Sequence, residues 1–123
     1  MRILDSNLLI YSAQDEYRFL RPLIHDDQTR LSAASKVEML GYHKLSAGER
    51  LYFESLFKTA SVLSISDEVV NKAVELRQQK RMSLGDCLIA ATALLNGFDL
   101  YTNNADDFIH ISGLTVINPL TEQ

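Results

Sequence analysis

The chain has 123 residues, 46% of them hydrophobic and 23% charged, a composition that suits one globular domain over residues 1–123 and excludes disordered, collagen-like and low-complexity classes. Its single cysteine, Cys87, allows no internal disulfide and fits a reducing, cytoplasmic setting; an acid at Asp5 argues against a secretory leader, and no uncharged run reaches the roughly 18 residues of a membrane span. A net charge of −4 argues against nucleic-acid binding through a broad basic face, while leaving room for an enzyme that meets phosphates through metal ions held by acids.

In chain order, Ile3-Leu4 running into Asp5 predicts a short buried strand that ends on an acid. Ser6 or Asn7 caps a brief helix carrying Leu8, Leu9 and Tyr11, and Phe19, Leu20 and Leu23 predict a second helix over residues 16–24. Residues 29–33 read as a strand. Ser35-Lys36-Val37-Glu38 has the form of a capping box and predicts a helix from there to about residue 43. Ser46-Ala47-Gly48-Glu49 repeats the device and opens a helix to about residue 59. Residues 61–65 predict a strand. Ser66 caps a helix with Asp67 and Glu68 in its first turn, Lys80 and Arg81 in its last, and Val69, Ala73 and Leu76 as its buried stripe. Ser83-Leu84-Gly85-Asp86 is another start of this kind, and residues 87–95, apolar nearly all round, predict a central buried helix ended by Asn96-Gly97. Residues 99–102 and 115–117 read as strands around an Asn/Asp-rich loop. Short strands alternating with helices predict an α/β sandwich with a mostly parallel sheet.

Chemistry is carried by where the acids fall. Asp5 stands at the carboxyl end of the first strand, the edge at which open parallel sheets bind ligands. A surface acid or a helix cap would look the same there. For Glu38 the capping box is a sufficient reading, as it is for Glu49. Asp86 is the only charged residue between Leu84 and Phe98. It heads a helix that is apolar on most sides, where a lone carboxylate is costly unless paired, hydrogen-bonded or metal-bound. Asn103-Asn104-Ala105-Asp106-Asp107 follows a predicted strand and serves equally as a polar turn. Carboxylates converging on one sheet edge repel unless cations lie between them, and hard oxygen donors suit Mg²⁺ or Mn²⁺. His25, His43 and His110 show no metal-motif spacing, and there is no Gly-rich phosphate loop.

These residues resemble a known family. Ile3-Leu4-Asp5-Ser6-Asn7-Leu8-Leu9-Ile10 is similar to the opening LLDTNxLI of PIN domains, and Ser35-Lys36-Val37-Glu38-Met39-Leu40-Gly41 to their second element. Ser83-Leu84-Gly85-Asp86-Cys87-Leu88-Ile89-Ala90-Ala91-Thr92-Ala93 resembles the third, D-x-x-I-A-A-T-A, and Tyr101-Thr102-Asn103-Asn104-Ala105-Asp106-Asp107-Phe108 the last, T-R-N-x-x-D-F. Order and spacing agree over essentially the whole chain, and the size fits the VapC-like toxins. The resemblance implies a three-layer α/β/α sandwich and a Mg²⁺- or Mn²⁺-dependent endoribonuclease, usually restrained by a cognate antitoxin and often a homodimer. The family's acids map onto Asp5, Glu38 and Asp86. Ser6 replaces the usual Thr, and Asn104 stands where many members carry Asp, so a fourth acid falls to Asp107.

On this reading Asp5 and Asp86 ligate metal, Glu38 orients water or completes the shell, and Asp107, helped by Asn104, serves a second ion. Arg77, Lys80 and Arg81 are candidates for RNA phosphates, or simply complement a helix dipole. Two other classes compete: a catalytically weak PIN-like interaction module, and a phosphoacceptor receiver-type signalling domain. Mutual repulsion is expected to raise a pKa, with Asp86 the most enclosed acid. The apolar run from Leu51 to Phe57 exceeds one buried stripe and predicts a dimer face.

Overall fold

The computed structural model describes residues 1–121. Ile3 and Leu4 are both fully buried, and the strand pleat sends them to opposite faces of the sheet. Ile3 joins a core with Val69, Ala73, Leu76, Ile89, Leu100 and Phe108. Leu4 joins a second core with Leu8, Leu20, Leu31, Met39, Phe53 and Phe57. Two cores on either side of one sheet make the α/β/α sandwich. The strands are β1 (Arg2–Leu4), β2 (Thr29–Ser32), β3 (Val62–Leu63), β4 (Asp99–Tyr101) and β5 (Val116–Ile117). They pair throughout in parallel, in the order β3-β2-β1-β4-β5. A mostly parallel sheet was expected; this one is wholly so.

Helices α1 (Ser6–Tyr11), α2 (Leu20–Ile24), α3 (Ala33–Leu40) and α4 (Ala47–Thr59) supply the Leu4 core, whereas α5 (Asp67–Gln79) and α6 (Leu84–Asn96) cover the Ile3 side. The chain therefore steps outward from β1 to β3, then returns through α5 and α6 to lay β4 on the other flank of β1. That reversal puts a crevice between the carboxyl ends of β1 and β4. None of the described helices is long and apolar enough to cross a membrane.

Several elements depart from the sequence expectation. Instead of one helix over residues 16–24 there is a 3₁₀ turn, Asp15–Tyr17, and then α2. Pro22 explains the break, because proline is tolerated only in a first turn, where its missing N–H has no partner to lose. Helix α3 starts earlier and ends sooner than predicted. Ser32 is its N-cap, accepting from the Ala34 N–H at 3.0 Å, so no capping box exists at Ser35 and Glu38. Helix α5 stops at Gln79, which leaves Lys80 and Arg81 in extended chain beyond its last turn. Phe53, Leu56 and Phe57 of α4 are buried within the chain, leaving Leu51 as the exposed large apolar residue of that run, so the excess of apolar surface expected there is covered by the chain's own core.

Candidate functional site

Asp5 follows directly on β1 and caps α1. Its Oδ1 accepts from the Ser6 backbone N–H at 2.8 Å, and its Oδ2 accepts from the Thr102 hydroxyl at 2.8 Å. Thr102 is itself fully buried, just past β4, and its oxygen also accepts from the Asn104 N–H at 3.0 Å and the Asn7 amide at 3.3 Å. The crevice between β1 and β4 is thus closed by one acid and one hydroxyl. Asp5 is 6% exposed. Burial pushes its pKa up to about 6; the Thr102 bond opposes this, and the charges of Asp86 and Glu38 add to the rise.

Glu38 reaches the same place from α3. The Ser6 hydroxyl donates to the Ser35 oxygen at 2.9 Å and lies 3.4 Å from Glu38 Oε1, a pair of serines that links α1 to α3. With Ser32 as the helix cap, Glu38 is free of capping duty. Partial burial raises its carboxyl pKa, the Ser6 hydroxyl offsets this, and Asp86 adds to it. Asp86 occupies the first turn of α6, where its backbone N–H donates to the Ser83 hydroxyl at 3.1 Å. Its pKa is also raised, first by burial and then by the charge of Asp107, against the lowering effect of Ser83. Asp5, not Asp86, is the most enclosed acid, because it sits inside the crevice while Asp86 stands at its rim. Burial outweighs repulsion at each of these groups.

Asp107 and Asn104 lie farther out. A 3₁₀ turn, Ala105–Asp107, follows β4 and leaves Asp107 exposed. Asp107 adds to the rise at Asp86. The Asn104 side chain has no hydrogen-bond partner among the described residues; only its backbone is engaged. The basic residues lie closer to the acids than their sequence position implied. Arg77, Lys80 and Arg81 line a cleft of about 500 Å³ whose other wall is Asp86, Asp106 and Asp107. Arg77 is anchored there by its Nε–H, which donates to the Met82 carbonyl at 3.2 Å. No histidine lines this cleft.

The sequence matches the PIN domain family over residues 2–114. The chain belongs to the PIN domain family. That match overturns the receiver-type reading. Solved structures agree with it along nearly the whole length. A toxin–antitoxin complex from Klebsiella pneumoniae is 29% identical, with a TM-score of 0.76 over 97% of this chain and 98% of that one. VapBC2 from Rickettsia felis, bound to a DNA fragment from its promoter, has a TM-score of 0.78 at 20% identity, covering 95% and 97%. FitAcB from Neisseria gonorrhoeae has a TM-score of 0.76 at 22% identity, covering 98% and 99%. At these identities the last two speak to the fold alone. No curated protein matches the chain.

PIN domains are in general divalent-metal-dependent nucleases, and the donor set of this one suits such an ion. Asp5, Glu38 and Asp86 offer hard carboxylate oxygens and have no ion-pair partner among the described residues; the charges of Asp86 and Glu38 raise the pKa of Asp5, and that of Asp86 raises the pKa of Glu38. As the side chains lie, no group of at least three His, Cys, Asp or Glu among the described residues is arranged to hold a metal. The sequence does not single out Thr102 or Ser35 as neighbours of these acids. Thr102 lies two residues before Asn104, inside the motif that runs from Tyr101 to Phe108, but nothing local sets its hydroxyl against Asp5. At Ser35 the spacing of a capping box conceals the contact with Ser6.

Proposed function

We propose that this PIN domain, acting as one domain over residues 1–123, is a Mg²⁺- or Mn²⁺-dependent endoribonuclease and the toxin of a toxin–antitoxin pair in the cytoplasm. One observation carries the reading: carboxylates from β1, α3 and α6 come near enough at the sheet's switch point for Glu38 and Asp86 to act on Asp5, with no cationic side chain paired to any of them. A divalent ion supplies Lewis acidity there, activating water and stabilising charge on phosphate oxygens. Asp5, fixed by Ser6 and Thr102, and Asp86, at the rim, are the residues that hold it. Glu38, steadied by Ser6, orients water or completes the ligand shell. Asp107 stands toward Asp86 and serves a second, weaker position, with Asn104 contributing a neutral amide. Arg77, Lys80 and Arg81 receive the RNA phosphates across the cleft, where the acids meet the scissile group.

The antitoxin partner is supported by the complex from Klebsiella pneumoniae, and by an apolar groove of about 320 Å³ beside Glu38, lined in part by Ile10, Met39, Tyr42, Leu45 and Phe53. The chain pairs as a homodimer through α5, where Val70 and Val74, one turn apart, are 45% and 51% exposed. Incubation with total RNA in Mn²⁺, in Mg²⁺ and in EDTA tests the whole. Cleavage with either ion, lost in EDTA and in Asp86→Asn, is expected. RNA that stays intact with both ions would favour the interaction-module reading instead.

A further inference from the structure

Gly85 is the second residue of α6, between Leu84 and Asp86, and its backbone is ordinary: the positive φ values among the described residues belong to Gly97 and Gly113. Nothing in its conformation calls for glycine, and glycine weakens a helix relative to alanine. The reason for its presence is space. A Cβ built on Gly85 falls 2.7 Å from Glu38 Cδ and 2.8 Å from Oε2, and closer still to Oε1. The whole Glu38 carboxylate thus lies against the bare first turn of α6. Gly48 makes the comparison internal. It holds the same second position in α4, after the cap Ser46 and before Glu49, and a Cβ there meets nothing within 4 Å.

We propose that Gly85 is a positioning residue: the absence of its side chain lets the Glu38 carboxylate lie on the first turn of α6, beside Asp86, and any β-carbon there displaces it. This rests on the reading that Asp5, Glu38 and Asp86 hold a divalent cation. The atoms that would clash belong to the far end of a flexible side chain, so Gly85→Ala moves Glu38 instead of unfolding the helix. Stability and metal binding should therefore separate.

The test is Mn²⁺ titration calorimetry, with thermal unfolding of the metal-free protein, on wild type, Gly85→Ala, Gly48→Ala, Glu38→Ala and the Glu38→Ala/Gly85→Ala double variant. Gly85→Ala is expected to weaken Mn²⁺ binding about 10- to 100-fold, the range of a displaced supporting contact, while its metal-free unfolding temperature equals or exceeds that of wild type. Gly48→Ala leaves Mn²⁺ affinity unchanged. In the Glu38→Ala background the Gly85 substitution has no further effect, because there is no carboxylate left to displace. Equal affinity in wild type and Gly85→Ala overturns the role of Gly85, as does an equal loss with and without Glu38. A wild type that takes up no Mn²⁺ overturns the metal reading beneath it.

Discussion

At Asp5 burial and hydrogen bonding pull in opposite directions, and burial wins, since the carboxyl pKa rises from 3.8 to about 6 despite bonds from Thr102 and Ser6. The folded state therefore holds a proton that the unfolded chain releases, and stability must fall as pH climbs from about 4 to about 6, then level off. A rise of that size corresponds to about 3 kcal/mol. Glu38 and Asp86 act in the same direction, while the lowered Asp26 and Glu49 are fully exposed and weigh little. Thermal unfolding of metal-free protein should show a lower midpoint at pH 7 than at pH 5; a midpoint that rises over this range contradicts the burial of Asp5. Thr102→Val keeps the shape but removes the donor to Asp5 and the acceptor for Asn104 and Asn7. Unfolding by urea should show a loss of about 1–3 kcal/mol, and the fall of stability with pH should extend to higher pH, because Asp5 loses a bond that lowers its pKa. At this scale Asp86 is legible as a lone acid heading an apolar helix, and Asp5 and Glu38 through the family resemblance. Thr102 is not, since only the paired strand ends bring it against Asp5 from ninety-seven positions away.

Helix starts explain most of what the sequence did and did not disclose about elements. Ser46, Ser66 and Ser83 were legible as caps because each stands ahead of an apolar periodic run, and each does cap its helix. Ser35 carried the same four-residue signature, yet α3 begins earlier because the chain turns from β2 directly into the helix at Ser32. A tertiary position beside Ser6 claims Ser35 instead. The shortness of β3 and β5 was equally hidden, since pairing with one neighbour and not side-chain pattern sets where an edge strand ends. For α6 the structure separates cap from site. Ser83→Ala should cost about 1 kcal/mol by removing the acceptor for the Asp86 N–H. Asp86→Asn should change metal-free stability by less, because the lost favour of a negative charge at the helix N-terminus is offset by relief from Asp107 and Asp5. Paired denaturation curves decide it: a larger loss for Asp86→Asn than for Ser83→Ala would make Asp86 a structural residue.

For the whole molecule, strand order governs function. With β4 returned to the flank of β1, Asp5 and Thr102 meet, α6 brings Asp86 to the rim, and the last turn of α5 with the stretch after it sets Arg77, Lys80 and Arg81 across a cleft from Asp86, Asp106 and Asp107. The alternation of strands and helices made the sandwich legible. The facing walls were not, because which helices share a side depends on where the chain reverses. The cleft predicts that Lys80→Ala and Arg81→Ala together raise KM for RNA and flatten its salt dependence, with little effect on folding, because both side chains are exposed. Anomalous diffraction from a crystal grown with Mn²⁺ measures directly whether Asp5, Glu38 and Asp86 hold one divalent cation. A single strong peak is expected within direct ligand distance of Asp5 and Asp86 oxygens, absent in Asp86→Asn crystals; a peak only at Asp106 and Asp107, or none at the β1–β4 crevice with Mn²⁺ in excess, would show that these three acids do not hold the ion.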